Sequence, residues 1–191
     1  MADDYLTKRK ICGADELIAF RHVRAKAHFY LGENEKAISL FRRNCSETEG
    51  TGRLARRALS LNSLATAHLA EGQVEESLRL LHAAVELAQQ VGDLRTLALA
   101  QVNLGVAYSE KGEGEASSRH YEEGLTTFRK IGDQASEART LYNAGVLRVQ
   151  AGSLVQAEEA FAEALELARR LGMKHFESTV RRQRAECALQ R

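Results

Sequence analysis

The sequence contains no proline and no tryptophan, and its positive and negative charges nearly cancel. Proline breaks the interior of a helix, so its absence leaves long helices free to form. With 27 Lys and Arg residues against 26 Asp and Glu residues, the formal net charge is +1. Sequence-independent binding to a phosphate backbone needs a basic surplus. We therefore expect no nucleic acid partner.

Long apolar runs are also missing. Charged residues interrupt every apolar stretch before the roughly 20 residues that a membrane helix needs, and Met1 to Lys10 contain no apolar signal core. The three cysteines, Cys12, Cys45 and Cys187, form no Cys-x-x-Cys pair and no evident disulfide framework. The sequence therefore predicts a cytoplasmic protein with reduced thiols and no membrane contact.

The motifs of common catalytic sites are absent as well. The sequence has no phosphate loop, no His-Glu-x-x-His pair, no Gly-x-Ser-x-Gly elbow and no dinucleotide fingerprint. Its histidines do not follow the short spacings that are typical of zinc ligands. We expect no enzyme activity, no cofactor and no metal site.

Glycine, by contrast, recurs with a period of about 40 residues, a length that is typical of one unit in helical repeat proteins. Two series of glycines keep this step without slippage: Gly32, Gly72, Gly112 and Gly152, then Gly52, Gly92, Gly132 and Gly172. Glycine tolerates the left-handed backbone that follows a helix C-terminus, so each period contains two helix ends. Between the glycines, apolar residues recur at spacings of three and four, which is the period of a helix.

Other columns of the repeat hold residues of constant size. One column is large and apolar: Phe41, Leu81, Tyr121 and Phe161. Another is small and predicts a close approach of two helices: Ala25, Ala65, Gly105 and Gly145.

Two further columns contain residues that could otherwise be taken for reactive groups. Cys45 shares a column with Val85, Leu125 and Leu165, which predicts a small hydrophobic residue rather than a nucleophile. Another column contains two histidines, a tyrosine and an arginine: His28, His68, Tyr108 and Arg148. This mixture predicts packing residues rather than zinc ligands.

Each period thus predicts two helices, A and B. We expect A helices near residues 15–31, 53–71, 93–111 and 133–151, and B helices near 34–48, 74–91, 114–131 and 154–171. Asp93 and Asp133 stand where a carboxylate favours a helix N-terminus. Ser153 with Gln156 predicts a capping box.

The ends of a stacked array expose an apolar face unless a terminal segment covers it. Residues 172–191 continue the A columns with one charged face and predict a capping helix, and residues 1–12 predict an N-terminal cap or partial helix. We therefore expect one domain, residues 1–191, with repeats at 13–51, 52–91, 92–131 and 132–171. A fragment of a longer array is the alternative interpretation.

With these columns in place, the unit resembles the tetratricopeptide repeat. The third unit matches that family's pattern at Leu104, Gly105, Tyr108, Gly112, Ser117, Tyr121 and Gly124, and the fourth at Ala144, Gly145, Gly152, Ala157, Phe161 and Ala164. The resemblance covers about residues 15–190. The first unit departs from it at Arg21 and Arg24, and the family's opening tryptophan and closing proline are missing.

The long spacing of the units resembles a long-helix subgroup that includes spindle-orientation adaptors, kinesin light chains and sensor domains of bacterial regulators. The resemblance implies an all-α fold: a right-handed superhelical array of antiparallel helix pairs, about four repeats plus a C-terminal capping helix. It also implies that fixed positions of the A helices line an inner wall that binds peptides.

Carried over by register, the expected peptide-binding residues are Asn62, Thr66, Val102, Asn103, Val106, Arg139, Tyr142, Asn143, Val146 and Arg182. The first unit adds His22, Val23, Lys26 and Phe29 to the wall. Because an amide both donates and accepts, Asn103 and Asn143 are suited to hold a peptide main chain; the alternative is a cross-link between neighbouring A helices. Arg139 is suited to a ligand carboxylate, or else to a solvated pair with Glu137 or Glu110.

These features predict an adaptor or scaffold that binds a peptide segment of a partner protein, with acidic residues beside apolar anchors. A sensor or regulatory module for a small molecule or a signal peptide is the alternative, and an enzyme or enzyme subunit is the least favoured class. Self-association into a homo-oligomer, through the wall or through the first unit, is a further option.

Overall fold

The computed structural model describes residues 13–190, which form α-helices joined by short turns and contain no strand. The predicted N-terminal cap, residues 1–12, lies outside the described residues. The helices are α1 Ala14–Tyr30, α2 Asn34–Thr48, α3 Leu54–Ala70, α4 Val74–Val91, α5 Leu94–Glu110, α6 Gly114–Ile131, α7 Gln134–Gln150, α8 Leu154–Arg170 and α9 Lys174–Leu189. The predicted all-α fold of helix pairs with a C-terminal helix is confirmed. The predicted bounds of the A and B helices lie within one residue of the observed ones, and those of the C-terminal helix within two.

The chain divides into two compact units, residues 1–96 and 97–191, with the division in the first turn of α5. In unit 1, α1 packs on α2, α2 on α3 and α3 on α4, and α1 also contacts α3. In unit 2, α6 packs on α7, α7 on α8 and α8 on α9, and α7 also contacts α9. Within each unit, therefore, the A helices, which carry odd numbers, are neighbours of one another.

The turns between helices contain the repeated glycines. All eight of them have a positive φ, between 67° and 81°. At the turn from α3 to α4, the N–H of Gly72 donates to the carbonyl of Leu69 at 2.9 Å, and the N–H of Gln73 donates to that of His68 at 3.0 Å. A side chain at Gly72 would be strained in this conformation. The glycines end the helices as predicted.

Two aspartates begin helices as predicted. Oδ1 of Asp133 accepts the N–H of Ser136 at 3.1 Å, and Oδ1 of Asp93 accepts that of Thr96 at 3.0 Å. The predicted capping box at Ser153 is wrong, because its side chain makes no capping hydrogen bond. The backbone of Ser153, with φ −85° and ψ 61°, departs from the extended conformation in which a serine hydroxyl caps a helix.

Rings on B helices pack directly on glycines of A helices in unit 2. A Cβ at Gly145 would lie 2.5 Å from Cε1 of Phe161, and one at Gly105 would lie 2.7 Å from Cδ1 of Tyr121. Phe161 has no exposed surface. The close approach that the small column predicted is confirmed, and it fixes the A helices against their B partners.

Candidate functional site

The A helix α7 presents the most defined candidate surface in the chain. Tyr142, Asn143 and Val146 are half-buried on one face of this helix, and Arg139 is exposed one turn earlier. The ring of Tyr142 lies 5.9 Å from that of Phe161 and 5.7 Å from that of Phe176, measured between centroids. These contacts fix the position of the Tyr142 ring, which contributes a rigid apolar group to the surface.

Arg139 does not form the pair with Glu137 that was one of its predicted alternatives. Oε1 of Glu137 instead accepts a hydrogen bond from Nε of Arg129 at 2.7 Å. Within residues 13–190, Arg139 makes no ion pair, and the Asn143 amide makes no side-chain hydrogen bond. Both groups are therefore accessible to a ligand on the same face of α7.

Helix α5 lies beside α7 in unit 2. The hydroxyl of Ser109 on α5 is 3.5 Å from Oε1 of Gln150 on α7. Val102, Asn103 and Val106 are half-buried on α5. Val102 contacts α6 closely, since a Cβ at Gly124 would lie 2.6 Å from its Cγ2, so this valine supports the helix pair as well as the surface.

The closing helix α9 adds Arg182, whose side chain is 74% exposed. Its Nε is 4.0 Å from Oε1 of Glu186, which is 53% exposed, so solvent screens this pair strongly. We call the face formed by these A helices the unit 2 wall and define it by Val106, Arg139, Tyr142, Asn143, Val146 and Arg182.

Two of the predicted site residues, Asn62 and Thr66, lie in unit 1, on α3. Asn62 is buried, with 6% of its surface exposed. The hydroxyl of Thr66 donates to the backbone carbonyl of Asn62 at 3.0 Å within the same helix. Asn62 is thus less accessible than the half-buried Asn143 of α7, and neither Asn62 nor Thr66 is part of the unit 2 wall.

Two features of unit 2 were not predicted from the sequence. Phe176, at the start of α9, closes the aromatic cluster around Tyr142; in the repeat it aligns with Arg56 and Ser136, so its column gives no apolar signal. His120 stacks on Tyr108 at 5.2 Å between centroids, and its Nδ1 lies 2.7 Å from Oε1 of Gln101. Only tertiary contacts bring these side chains together.

The thiols and histidines behave as packing residues. Burial raises the pKa of Cys45 to about 12, so this thiol is protonated and is not a nucleophile near neutral pH. Nδ1 of His28 contacts Glu33, and Nδ1 of His68 contacts Gln73. Each contact links an A helix to the residue that directly precedes its B helix. In the described part of the chain, no three His, Cys, Asp or Glu side chains are placed to hold a metal ion.

Membrane insertion requires a helix that is both long and apolar. None of the helices between residues 13 and 190 meets both conditions for crossing a membrane.

A surface cleft of about 540 Å³ lies away from the unit 2 wall, where α6 and α8 begin and α7 ends. It is lined by Gly114, Glu115, Ser118, Leu147, Arg148, Ala151, Ser153 and Gln156. Nη1 of Arg148 donates to the backbone carbonyl of Gln156 at 3.3 Å. The main positive group of the cleft is therefore already engaged within the fold.

The sequence matches the family model of the tetratricopeptide repeat at residues 56–130 and again at 96–170. The chain belongs to the tetratricopeptide repeat family. Repeat arrays of this kind stack helix pairs into surfaces that bind other proteins, so the fold is typical of a protein interaction module and of a non-catalytic scaffold. A comparison of the sequence with curated proteins found no match.

Solved structures show the same fold at low sequence identity. The apo form of RapI is 16% identical with a TM-score of 0.80 over 94% of this chain. The signal transduction ATPase PH0952 from Pyrococcus horikoshii, which has a tetratricopeptide repeat sensor, is 21% identical with a TM-score of 0.80 over 93%. BtubC from P. vanneervenii is 18% identical with a TM-score of 0.71 over 96% of this chain and 80% of its own. The chain spans 65% of the RapI chain and 27% of PH0952.

Proposed function

We propose that this protein is an adaptor whose unit 2 wall binds a peptide segment of a partner protein. The observation that supports this most directly is on α7, where an exposed guanidinium without an ion pair, Arg139, an accessible amide, Asn143, and a fixed aromatic ring, Tyr142, share one helix face. An amide holds a main chain, a ring anchors an apolar side chain and a guanidinium binds a carboxylate.

The charges on the wall favour an acidic partner. Arg139 and Arg182 are exposed, while Glu137 is engaged by Arg129 and so does not neutralise Arg139. Tyr142 and Val146 lie between these cations in the register of the helices. The proposed partner segment therefore carries acidic residues beside apolar ones, and its complementary charge would speed association as well as select for it.

The proposal also covers the cellular location of the protein and its lack of catalytic activity. The free thiols of Cys45 and Cys187 fit a reducing cytoplasm. The raised pKa of Cys45 keeps this thiol protonated, so it does not supply a nucleophile. We propose a cytoplasmic scaffold that acts by binding rather than by catalysis.

A sensor of a small molecule or signal peptide is the second candidate. The PH0952 likeness favours it, since that protein carries a tetratricopeptide repeat sensor. A sensor would bind its signal in an enclosed pocket, whereas the unit 2 wall is an open face of half-buried side chains. We therefore prefer the adaptor.

Peptide selection followed by titration tests the adaptor proposal. Peptides selected from a random library on the immobilised protein should be rich in Asp or Glu beside apolar residues. Arg139→Ala should weaken their binding by about 1.5 to 3 kcal/mol if the charged hydrogen bond is desolvated. Arg119→Ala is the matched control, because Arg119 is exposed on the B helix α6. Equal affinities of both variants and the wild type would remove the unit 2 wall from the function.

A further inference from the structure

Helix α1 has a second apolar face, which lies opposite the face that packs into unit 1. Leu17, Ile18 and Ala25 are buried. Because each residue of a helix turns by about 100°, residues 16, 20, 23, 27 and 30 lie on the other side. All of them are exposed, and most are apolar or aromatic: Glu16, Phe20, Val23, Ala27 and Tyr30. We call these five positions the α1 seam.

The spacing of the α1 seam is that of a helix that packs along another helix. Its successive intervals are four, three, four and three residues, which is the alternation of a and d positions in a coiled coil. Val23 is 67% exposed and Tyr30 is 77% exposed, and the ring of Tyr30 lies edge-on to that of Phe29. A contiguous exposed apolar stripe of this kind is typical of a protein interaction surface.

The other A helices are covered at the position that corresponds to Phe20. Phe20 is 46% exposed, whereas the aligned residues of α3, α7 and α9 are at most 1% exposed: Ser60, Thr140 and Val180. Each of those three helices packs on the B helix before it. Phe20 is also the largest of these side chains. On α1, therefore, a large apolar group is open to a further helix at a place where the repeat normally packs one.

The charges of α1 indicate a second copy of the chain as that partner. The first turn is acidic, with Asp15 and Glu16, whereas Arg24 and Lys26 follow in the second half. Glu16 and Lys26 are exposed and form no ion pair within residues 13–190. A partner of a single charge would be repelled by one end of the helix. An antiparallel copy of α1 places acidic residues beside basic ones at both ends.

We propose that two copies of this chain associate through the α1 seam, with the two α1 helices antiparallel about a two-fold axis. Both copies then use the same surface, as a two-fold interface requires. The register that sets Phe20 opposite Val23 of the other copy pairs a larger side chain with a smaller one at every level: Phe20 with Val23, Glu16 with Ala27 and Tyr30 with Gly13. It also brings each Glu16 next to Lys26 of the other copy.

Sedimentation of the full chain over a range of concentrations tests the proposal. One helix from each copy buries less surface than a permanent dimer does, so we expect a reversible dimer with a dissociation constant of about 1 to 100 μM. Dilution below this range should give the monomer. A monomer at every concentration up to roughly 1 mM would overturn the proposal.

A double variant at the centre of the seam should abolish the dimer. Phe20→Glu with Val23→Glu would place unpaired carboxylates in the interface. Val155→Glu with Leu189→Glu is the matched control, because these residues are 52% and 89% exposed and lie on α8 and α9. The control adds the same charge and should leave the dissociation constant unchanged, with the same helix content by circular dichroism. Equal loss of the dimer in both double variants would refute the seam.

Exchange of charge between the copies identifies the second copy as the partner. Glu16→Lys alone and Lys26→Glu alone should each weaken self-association at least threefold, because each leaves like charges next to one another. An equimolar mixture of the two variants should associate at least threefold more tightly than either alone, since each added charge then lies beside its opposite. A mixture that associates no better than its components would overturn the charge match.

The orientation of the two helices has a separate test. Lys26→Gln should weaken an antiparallel dimer, because Glu16 of the other copy loses its partner. In a parallel dimer the same substitution would relieve repulsion between two Lys26 side chains, so a tighter dimer would contradict the antiparallel arrangement. Arg139→Ala should leave the dissociation constant unchanged, so failure of the unit 2 proposal leaves these tests intact.

Discussion

The first and fourth repeats fill the same three positions between helices A and B with opposite chemistry. The fourth repeat has Leu141, Ala164 and Leu167, which are all buried in an apolar cluster around Phe161. The first repeat has Arg21, Asn44 and Glu47 at the corresponding positions. Both arrangements give helix pairs in the same register, so the repeat accepts a polar network at these positions.

The polar core of the first repeat depends on a buried guanidinium. Arg21 has no exposed surface, and its Nη1 donates to Oδ1 of Asn44 and Oε2 of Glu47, both at 2.8 Å. Nδ2 of Asn44 donates to the carbonyl of Ile18 at 3.1 Å. Such a network contributes little net stability compared with apolar packing, but removing one member leaves a buried charge uncompensated. The two repeats should therefore respond differently to substitution.

The largest expected effect is in the apolar repeat. Phe161→Ala would leave a cavity beside Gly145 and Tyr142, and it should lower the free energy of unfolding by about 3 to 5 kcal/mol. Chemical denaturation measures this change. Val155→Ala is the control, because Val155 is 52% exposed. Unaltered unfolding of the Phe161 variant would contradict the alignment of the repeats.

In the polar first repeat, one substitution should lower the stability, and three combined substitutions should restore it. Asn44→Ala removes a hydrogen bond from a buried charged group and should cost about 1.5 to 3 kcal/mol. The triple variant Arg21→Leu, Asn44→Ala and Glu47→Leu installs the residues of the fourth repeat and should recover that loss or exceed the wild type by about 1 to 4 kcal/mol. A triple variant less stable than the single one would show that these positions are not equivalent in the two repeats.

Substitutions at the close approach of helices A and B should change the stability of the two units by smaller and different amounts. Gly145→Ala should cost about 1 to 3 kcal/mol by overpacking, since its Cβ would lie 2.5 Å from Phe161. Ala65 occupies the same column in unit 1 with no exposed surface, so Ala65→Gly should cost only about 0.5 to 1 kcal/mol. Thermal unfolding of the two variants compares them, and a stabilised Gly145→Ala protein would disprove the ring contact.

The last expected contrast is a pH dependence of stability that arises in unit 1. The pKa of His22 is lowered from 6.5 to about 4 by burial, Lys26 and Arg56, so the unfolded chain binds more protons than the native one between these values. The contribution of His22 to stability is complete above pH 6.5 and is lost as the pH falls toward the lowered value. Unfolding measured across this range should show a smaller slope in His22→Gln than in the wild type, and identical slopes would contradict the lowered pKa.

Glu47 adds to the acid sensitivity of the first repeat. Burial would raise the pKa of this carboxyl, but hydrogen bonds from Arg21 and Arg43 outweigh it and hold the pKa below its ordinary value. Its stabilising contribution is present above its ordinary pKa and is lost as acid protonates it. The apolar triple variant removes this contribution, which gives a second check on the comparison of the repeats.

The sequence predicted the role of some residues of the candidate site and its packing better than that of others. Gly145 and Phe161 were assigned to packing columns because helix packing constrains size in a constant register, and that assignment is confirmed. The alternatives for Arg139 were not resolved by the sequence, and only the fold brings Arg129 to Glu137. The binding role of the wall residues stays a prediction that the proposed titrations test.

The constant period of the repeat by itself determined the number, bounds and pairing of the helices, because glycine positions and apolar spacing act locally along the chain. It did not determine which charged side chains would lie close to one another. The hydrogen bonds from Arg21 to Asn44 and Glu47 form only in the folded helix pair. Lys26 and Arg56 act together on the pKa of His22 only because α1 lies beside α3. Electrostatic energies depend on distance and burial across helices, and those are properties of the tertiary structure.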